Sequence, residues 1–165
     1  MNKRDHGTLR AMRIIWPILA LAAAAGIFYS SSMPGDDSAK AGMFIVVRLL
    51  EWFPSIPLSE DMLNFILRKG AHFTVYLILA ICITHSLIYY IRGYRLFLVS
   101  WGIAAVYGIT DEIHQYFVPG RVCAVSDMLI NAAGAAAGTG LALLWLLRRQ
   151  RHIVEGSDSS GLKNT

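Results

Sequence analysis

Apolar residues fall into four long blocks along this chain, and polar residues are held to the gaps and to the block ends. A bilayer core about 30 Å thick needs about 20 mostly apolar helical residues to cross it. Residues 14–32, 71–90, 96–117 and 128–147 each meet that length. The blocks are too long for strands, so they predict helices. The second carries His72 and His85, the third turns acidic at Asp111 and Glu112, and the fourth is uncharged. A cleaved signal peptide is the competing reading of the first block, which follows Lys3, Arg4, Arg10 and Arg13. Its apolar stretch is long for a signal, and the residues from Tyr29 to Pro34 make a poor small-x-small cleavage site. We therefore read it as a retained span.

The first connection, residues 33–70, is too long for a plain loop. Within it, residues 41–53 (AGMFIVVRLLEWF) are apolar nearly all round, with Arg48 and Glu51 together on one side. This predicts a helix lying in the outer interface or against the bundle. Pro54 and Pro57 end it. Ser59 is placed as an N-cap, with Glu60 and Asp61 in a first turn where the helix dipole favours acid. That helix runs on into the second span, with Gly70 as the place for a bend. The expected architecture is all-α: a polytopic membrane helical bundle of about four transmembrane helices plus an outer-face interfacial helix. Residues 1–13 form the N-terminus and 14–147 the membrane domain. Residues 148–165 form a basic segment, and the polar tail after His152 is expected to be disordered.

Composition agrees with this and narrows it. Of the 165 residues, 55% are hydrophobic and 16% charged, where a soluble domain carries about 25% charged residues. Disorder is excluded, because it needs low hydrophobicity and high charge. The net charge of +4 does not indicate nucleic acid, because the basic residues flank the spans. Residues 3–13, Arg92 with Arg95, and Arg148, Arg149 and Arg151 all fall on one side of a four-span topology. The positive-inside rule makes that side cytoplasmic, with both termini inside and a cell-membrane location. The opposite side carries mixed charge. Cys82 and Cys123 give no CxxC, zinc spacing or disulfide framework.

Polar residues inside or beside spans are costly and face the bundle or a wet cavity. Lys69, His72 and Tyr76 share a helical face on the second span. Asp111, His114 and Gln115 share one on the third, with Glu112 on its flank. Pro119-Gly120 suits the centre of a type II turn that ends at Arg121. On the fourth span Asp127, Asn131, Gly134 and Gly138 form a polar-then-small stripe. The topology brings all the polar groups to the outer leaflet, which is the main argument for a site. Gly134 and Gly138 predict close approach to a neighbouring helix, either within the bundle or in a homo-oligomer.

These motifs resemble the VanZ-like family of small bacterial membrane proteins. The matching residues are Arg68-Lys69-Gly70-Ala71-His72-Phe73 with Tyr76, then Asp111-Glu112-Ile113-His114-Gln115, then Pro119-Gly120-Arg121, and Ser126-Asp127 with Asn131 and Gly134. Ser31-Ser32-Met33-Pro34-Gly35 resembles the family's outer-face segment. The resemblance implies a protein of the cell envelope, of a type associated with resistance to the antibiotic teicoplanin.

The expected ligand-binding residues are Lys69, His72, Tyr76, Asp111, His114, Gln115, Arg121, Asp127 and Asn131. At headgroup depth the Arg121 guanidinium suits bidentate capture of phosphate or carboxylate. Membrane lipids are the expected partners, together with a lipid-linked peptidoglycan precursor or a lipoglycopeptide. No nucleic acid is expected. His72, Asp111, Glu112 and His114 are the catalytic candidates for an alternative, a membrane-embedded hydrolase or transferase acting on a lipid headgroup. Asp111 and His114, three apart on one face, are of the types that share a metal ion. However, no HExxH, nucleophile elbow or phosphate loop accompanies them. The simpler reading is a structural network in which Lys69 or Arg121 neutralises Asp111, Glu112 or Asp127, with no metal and no cofactor. Asp127 also suits a dipole role at a helix start capped by Ser126. His85 and Cys82 are assigned to packing. Trp16, Trp52, Trp101 and Trp145 are assigned to interface anchoring or bundle packing. A transporter is disfavoured, because its site would sit near the midplane.

Overall fold

A computed structural model describes residues 3–161, with side chains placed for residues 11–149. Five helices follow one another: α1 (Lys3–Ser31), α2 (Gly35–Trp52), α3 (Glu60–Leu87), α4 (Tyr94–Tyr116) and α5 (Val125–Gly161). The described residues contain no strand. Four stretches are long and apolar enough to cross a membrane: Ala11–Ser31, Glu60–Leu87, Tyr94–Tyr116 and Val125–Arg149. The outward faces are apolar as well. Leu21 is 71% exposed and Phe28 53%, an arrangement suited to lipid.

The helix ends follow local chemistry. The Ser59 hydroxyl accepts from Met62 N at 3.3 Å, capping α3, with Glu60 and Asp61 in the first turn. Ser59→Ala is expected to cost about 1 kcal/mol, read as a lower melting temperature of the detergent-solubilised protein. The helix passes through Gly70 unbroken. At about 1.5 Å per residue it is longer than a bilayer core, so its first turns, up to about Lys69, lie near the boundary.

Three boundaries depart from expectation. α2 begins at Gly35, six residues before the predicted start of 41. Asp36 and Asp37 occupy its first turn, where acid favours a helix that the loop-like composition conceals. α1 begins at Lys3, ahead of the apolar block. The backbone of α5 continues helically to Gly161, through much of the tail expected to be disordered after His152. No proline interrupts that stretch, and extending a formed helix avoids a new nucleation step. Residues 162–165 of that tail lie outside the described residues.

α3 is the central helix, packing on α1, α2, α4 and α5. Its closest partner is α5. A Cβ at Gly134 would collide with the carbonyl oxygen of Phe73, and one at Gly138 with that of Leu77. The glycine stripe is thus used within the chain. α4 is fixed to its neighbours by two ring donors. Trp101 Nε1 donates to Ala132 O at 3.0 Å, and the Tyr107 hydroxyl donates to Ala24 O at 2.7 Å. His85 stacks on Trp16 (ring centroids 4.3 Å apart) and lies tilted against Trp145 (5.6 Å). These three rings pack together at the bundle end opposite the polar motifs, while Trp52 is 76% exposed.

Candidate functional site

The end of the bundle holding the C-terminus of α1 and the N-terminus of α5 carries a polar network drawn from distant parts of the chain. Each span begins or ends its polar stretch at that level, so the side chains meet without any local sequence contact. Lys69 Nζ on α3 forms an ion pair with Asp127 Oδ1 on α5 and lies 3.4 Å from Ser126 Oγ. One turn deeper, His72 Nδ1 is 3.1 Å from Asn131 Oδ1 and 3.8 Å from Glu112 Oε1 on α4. Gln115 Nε2 donates to Asp111 Oδ2 at 3.2 Å, to Glu112 Oε1 at 3.3 Å and to Ser31 Oγ at 3.3 Å. Glu112 Oε2 accepts from Ala124 N at 3.3 Å.

Asp111, Glu112, Gln115, Asp127 and Asn131 are all buried. Tyr76, also fully buried, closes the network from below and lies beside Asp111. Room for this comes from Gly108, where a Cβ would approach Asn131 Cβ to 3.0 Å and Tyr76 Cε1 to 3.2 Å. Tyr76 OH, Asp111 Oδ1 and Asn131 Nδ2 have no hydrogen-bond partner within the protein. Such groups are uncommon in folded chains.

A clasp lies over the network. Val118 O accepts from Arg121 N at 3.1 Å, and Gly120 has φ of 74°, matching the type II turn. Gly35 N donates to Pro119 O at 2.9 Å. The two loops touch so closely that a Cβ on Gly35 would overlap the Gly120 carbonyl. Arg121 Nε donates to Met33 O at 3.1 Å, and Nη2 to Ser30 O at 3.0 Å. Its guanidinium thereby ties the turn to two backbone carbonyls at the end of α1. Burial, and then the nearby Arg68, push that guanidinium down from its ordinary value, while Asp111 and Glu112 oppose the shift.

Residues 16–147 match the VanZ/LLP1 family. The chain belongs to this family. No curated protein and no solved structure matches it. The VanZ-like motifs are therefore best understood through the contacts they make in this fold. The RKGAHF motif supplies Lys69 and His72, the DEIHQ motif supplies the buried acids and Gln115, and PGR forms the clasp.

Lys69, His72, Tyr76, Asp111, Glu112, Gln115, Asp127 and Asn131 come together in one cluster. His114 does not join it. Its Nε2 is 3.1 Å from Ser32 Oγ, and its ring stacks on Phe28 with centroids 4.6 Å apart. Asp111 and His114, of types that can share an ion, are not grouped; the ligating atoms that lie within 4.8 Å of one another are those of His72, Glu112 and Asp127. Ser126 is not the cap of α5. Asp127 N and Met128 N both donate to Ala124 O, so the cap falls at Ala124 and leaves Ser126 beside Lys69. Sequence reasoning missed Ser31 as a partner of Gln115, and the backbone of Ser30, Met33 and Ala124, because carbonyls and N–H groups leave no residue-type signal.

Arg121→Met is expected to loosen the clasp. The measurable sign is faster maleimide labelling of Cys123, a half-buried free thiol next to the turn. Arg121→Lys is expected to behave alike, since one ammonium cannot reproduce the two-atom fork. An open depression of about 620 Å³ lies at the opposite end, lined by Tyr90, Ile91, Arg92, Arg95, Leu98 and Val99, and it shares no residue with the cluster.

Proposed function

We propose that this VanZ-like protein sits in the cell membrane with its polar end at the outer leaflet and both termini inside. There it binds the head-group region of a lipid-linked cell-wall precursor or a lipoglycopeptide and contributes to teicoplanin-type resistance. The observation that carries the reading is the gathering of Lys69, His72, Asp111, Glu112, Asp127 and Asn131 at one bundle end. Arg92, Arg95, Arg148 and Arg149 belong to the opposite ends of the same spans, which supports that orientation through the positive-inside rule. Lys69, His72 and Arg121 are part-exposed at the rim of the cluster, where a head group would first make contact.

The test compares teicoplanin and vancomycin inhibition in cells with and without the gene. The expected result is reduced teicoplanin sensitivity on overexpression, and unchanged sensitivity would remove the resistance role. The close placement of His72 and Glu112 supports a second reading, a membrane-embedded hydrolase or transferase acting on a lipid headgroup, with His72, Asp111 and Glu112 as its reactive set. His114 lies apart from that set. Under this reading His72→Ala abolishes headgroup turnover by the purified protein while His114→Ala retains it, and equal turnover in both variants would rule the reading out.

A further inference from the structure

Three helices each direct one metal-ligating group into the same small volume. One ligand atom from each of His72 (α3), Glu112 (α4) and Asp127 (α5) lies within 4.8 Å of the other two. We propose that His72, Glu112 and Asp127 bind a divalent first-row transition-metal ion, and that Lys69 is the counter-ion which the metal displaces from Asp127. The proposal is independent of the head-group reading above.

Ligand chemistry selects the class of ion. One imidazole nitrogen with two carboxylates suits zinc or manganese better than calcium, which prefers an all-oxygen shell. Ligands about 2 Å from a shared ion stand about 3–4 Å from one another. The separations here need to close by about 1 Å, within reach of small side-chain rotations. The partners that would orient one of those ligands are already in place. Gln115 and the Ala124 N–H hold the two oxygens of Glu112. Partners of this kind fix carboxylate geometry at metal sites.

Two further observations point to a ligand. Asn131 is fully buried against His72, yet its Nδ2 donor has no partner, leaving an N–H group that a water bound to the ion would satisfy. Charge is also unbalanced. Asp111, Glu112 and Asp127 are buried. Among the described residues the only ion pair reaching them from a lysine or arginine is that of Lys69 with Asp127. Arg121 acts on Asp111 and Glu112 only at longer range. A buried carboxylate is costly unless paired or bound to metal. Lys69, at the rim, has the long stem needed to swing its ammonium outward when an ion takes its place.

The full chain, purified in detergent and stripped with EDTA, is equilibrated separately with zinc chloride and manganese chloride. Bound metal is measured by mass spectrometry, and the melting temperature is recorded in parallel. The wild type is expected to retain one ion per chain and to melt higher with it. Lys69→Gln is expected to melt lower than wild type in EDTA, to bind the ion more tightly, and to gain more from it. A purely structural ion pair predicts instead that metal leaves this variant unrescued. Glu112→Gln and His72→Gln are each expected to lose the ion, with monodisperse elution as the folding control. The proposal is overturned if neither wild type nor Lys69→Gln retains either metal. It is also overturned if Lys69→Gln binds no more tightly than wild type, or if the monodisperse Glu112→Gln or His72→Gln protein retains as much metal as wild type.

Discussion

Gly138→Val is expected to abolish recovery of folded protein from the membrane. At this position any side chain meets the Leu77 carbonyl oxygen of α3, a backbone group that cannot turn aside as a flexible side chain would. Helix association in membranes depends on close packing of small residues rather than on a hydrophobic driving force. Pushing α5 away from α3 therefore removes the main source of stability and also parts Asp127 and Asn131 from Lys69 and His72. Gly138→Ala is expected to cost about 1–3 kcal/mol, typical of overpacking. Gly134→Ala is expected to act in the same way against Phe73. Gly140→Ala is the control. Nothing lies within 4 Å of its Cβ position, so its melting temperature in detergent is expected to stay at or above that of wild type. Monodisperse elution and thermal unfolding of the three alanine variants test the argument, and an equal response at Gly138 and Gly140 would refute it.

Lys69→Met is expected to destabilise the protein by about 3 kcal/mol in metal-free buffer, the usual effect of removing one partner of a buried ion pair. The Lys69 and Asp127 side chains are 16% and 5% exposed, so solvent compensates little for the charge left on Asp127. Asp127→Asn on its own leaves the ammonium able to reach water at the rim, and a smaller loss is expected. Combining Lys69→Met with Asp127→Asn is expected to recover most of the loss of Lys69→Met, since no uncompensated charge then remains. The measurement is a double-mutant cycle on melting temperature in EDTA. Strict additivity would mean that the two residues do not act as a pair.

Much of the fold was legible in the order of apolar and polar residues. Twenty-residue apolar blocks located the four spans because the thickness of the bilayer sets the length of helix that must be apolar. Ser59 before Glu60 and Asp61 located a helix start because capping is a local interaction. Pro119-Gly120 specified its turn for the same reason, φ of 74° at Gly120 being a conformation that glycine adopts freely. The start of α2 was less legible. Gly35 and its acidic neighbours look like loop until Gly35 is seen in contact with Gly120, a partner far along the chain.

At the site, the sequence alone determined which residues are polar within the spans and that they lie at a common depth, since both follow from position along a helix of known rise. It also determined that Gly134 and Gly138 open one face of α5, but not which helix fills that face. Only the tertiary structure decided the partners: Lys69 with Asp127, His72 with Asn131 and Glu112, and Gln115 bridging the acids to Ser31. It also placed His114 on Phe28 and Ser32 and committed Arg121 to the end of α1. The physical reason is that helical periodicity assigns each side chain to a face of its own helix. Contact across helices depends on rotation and close approach, and these are set by packing between residues far apart in the chain.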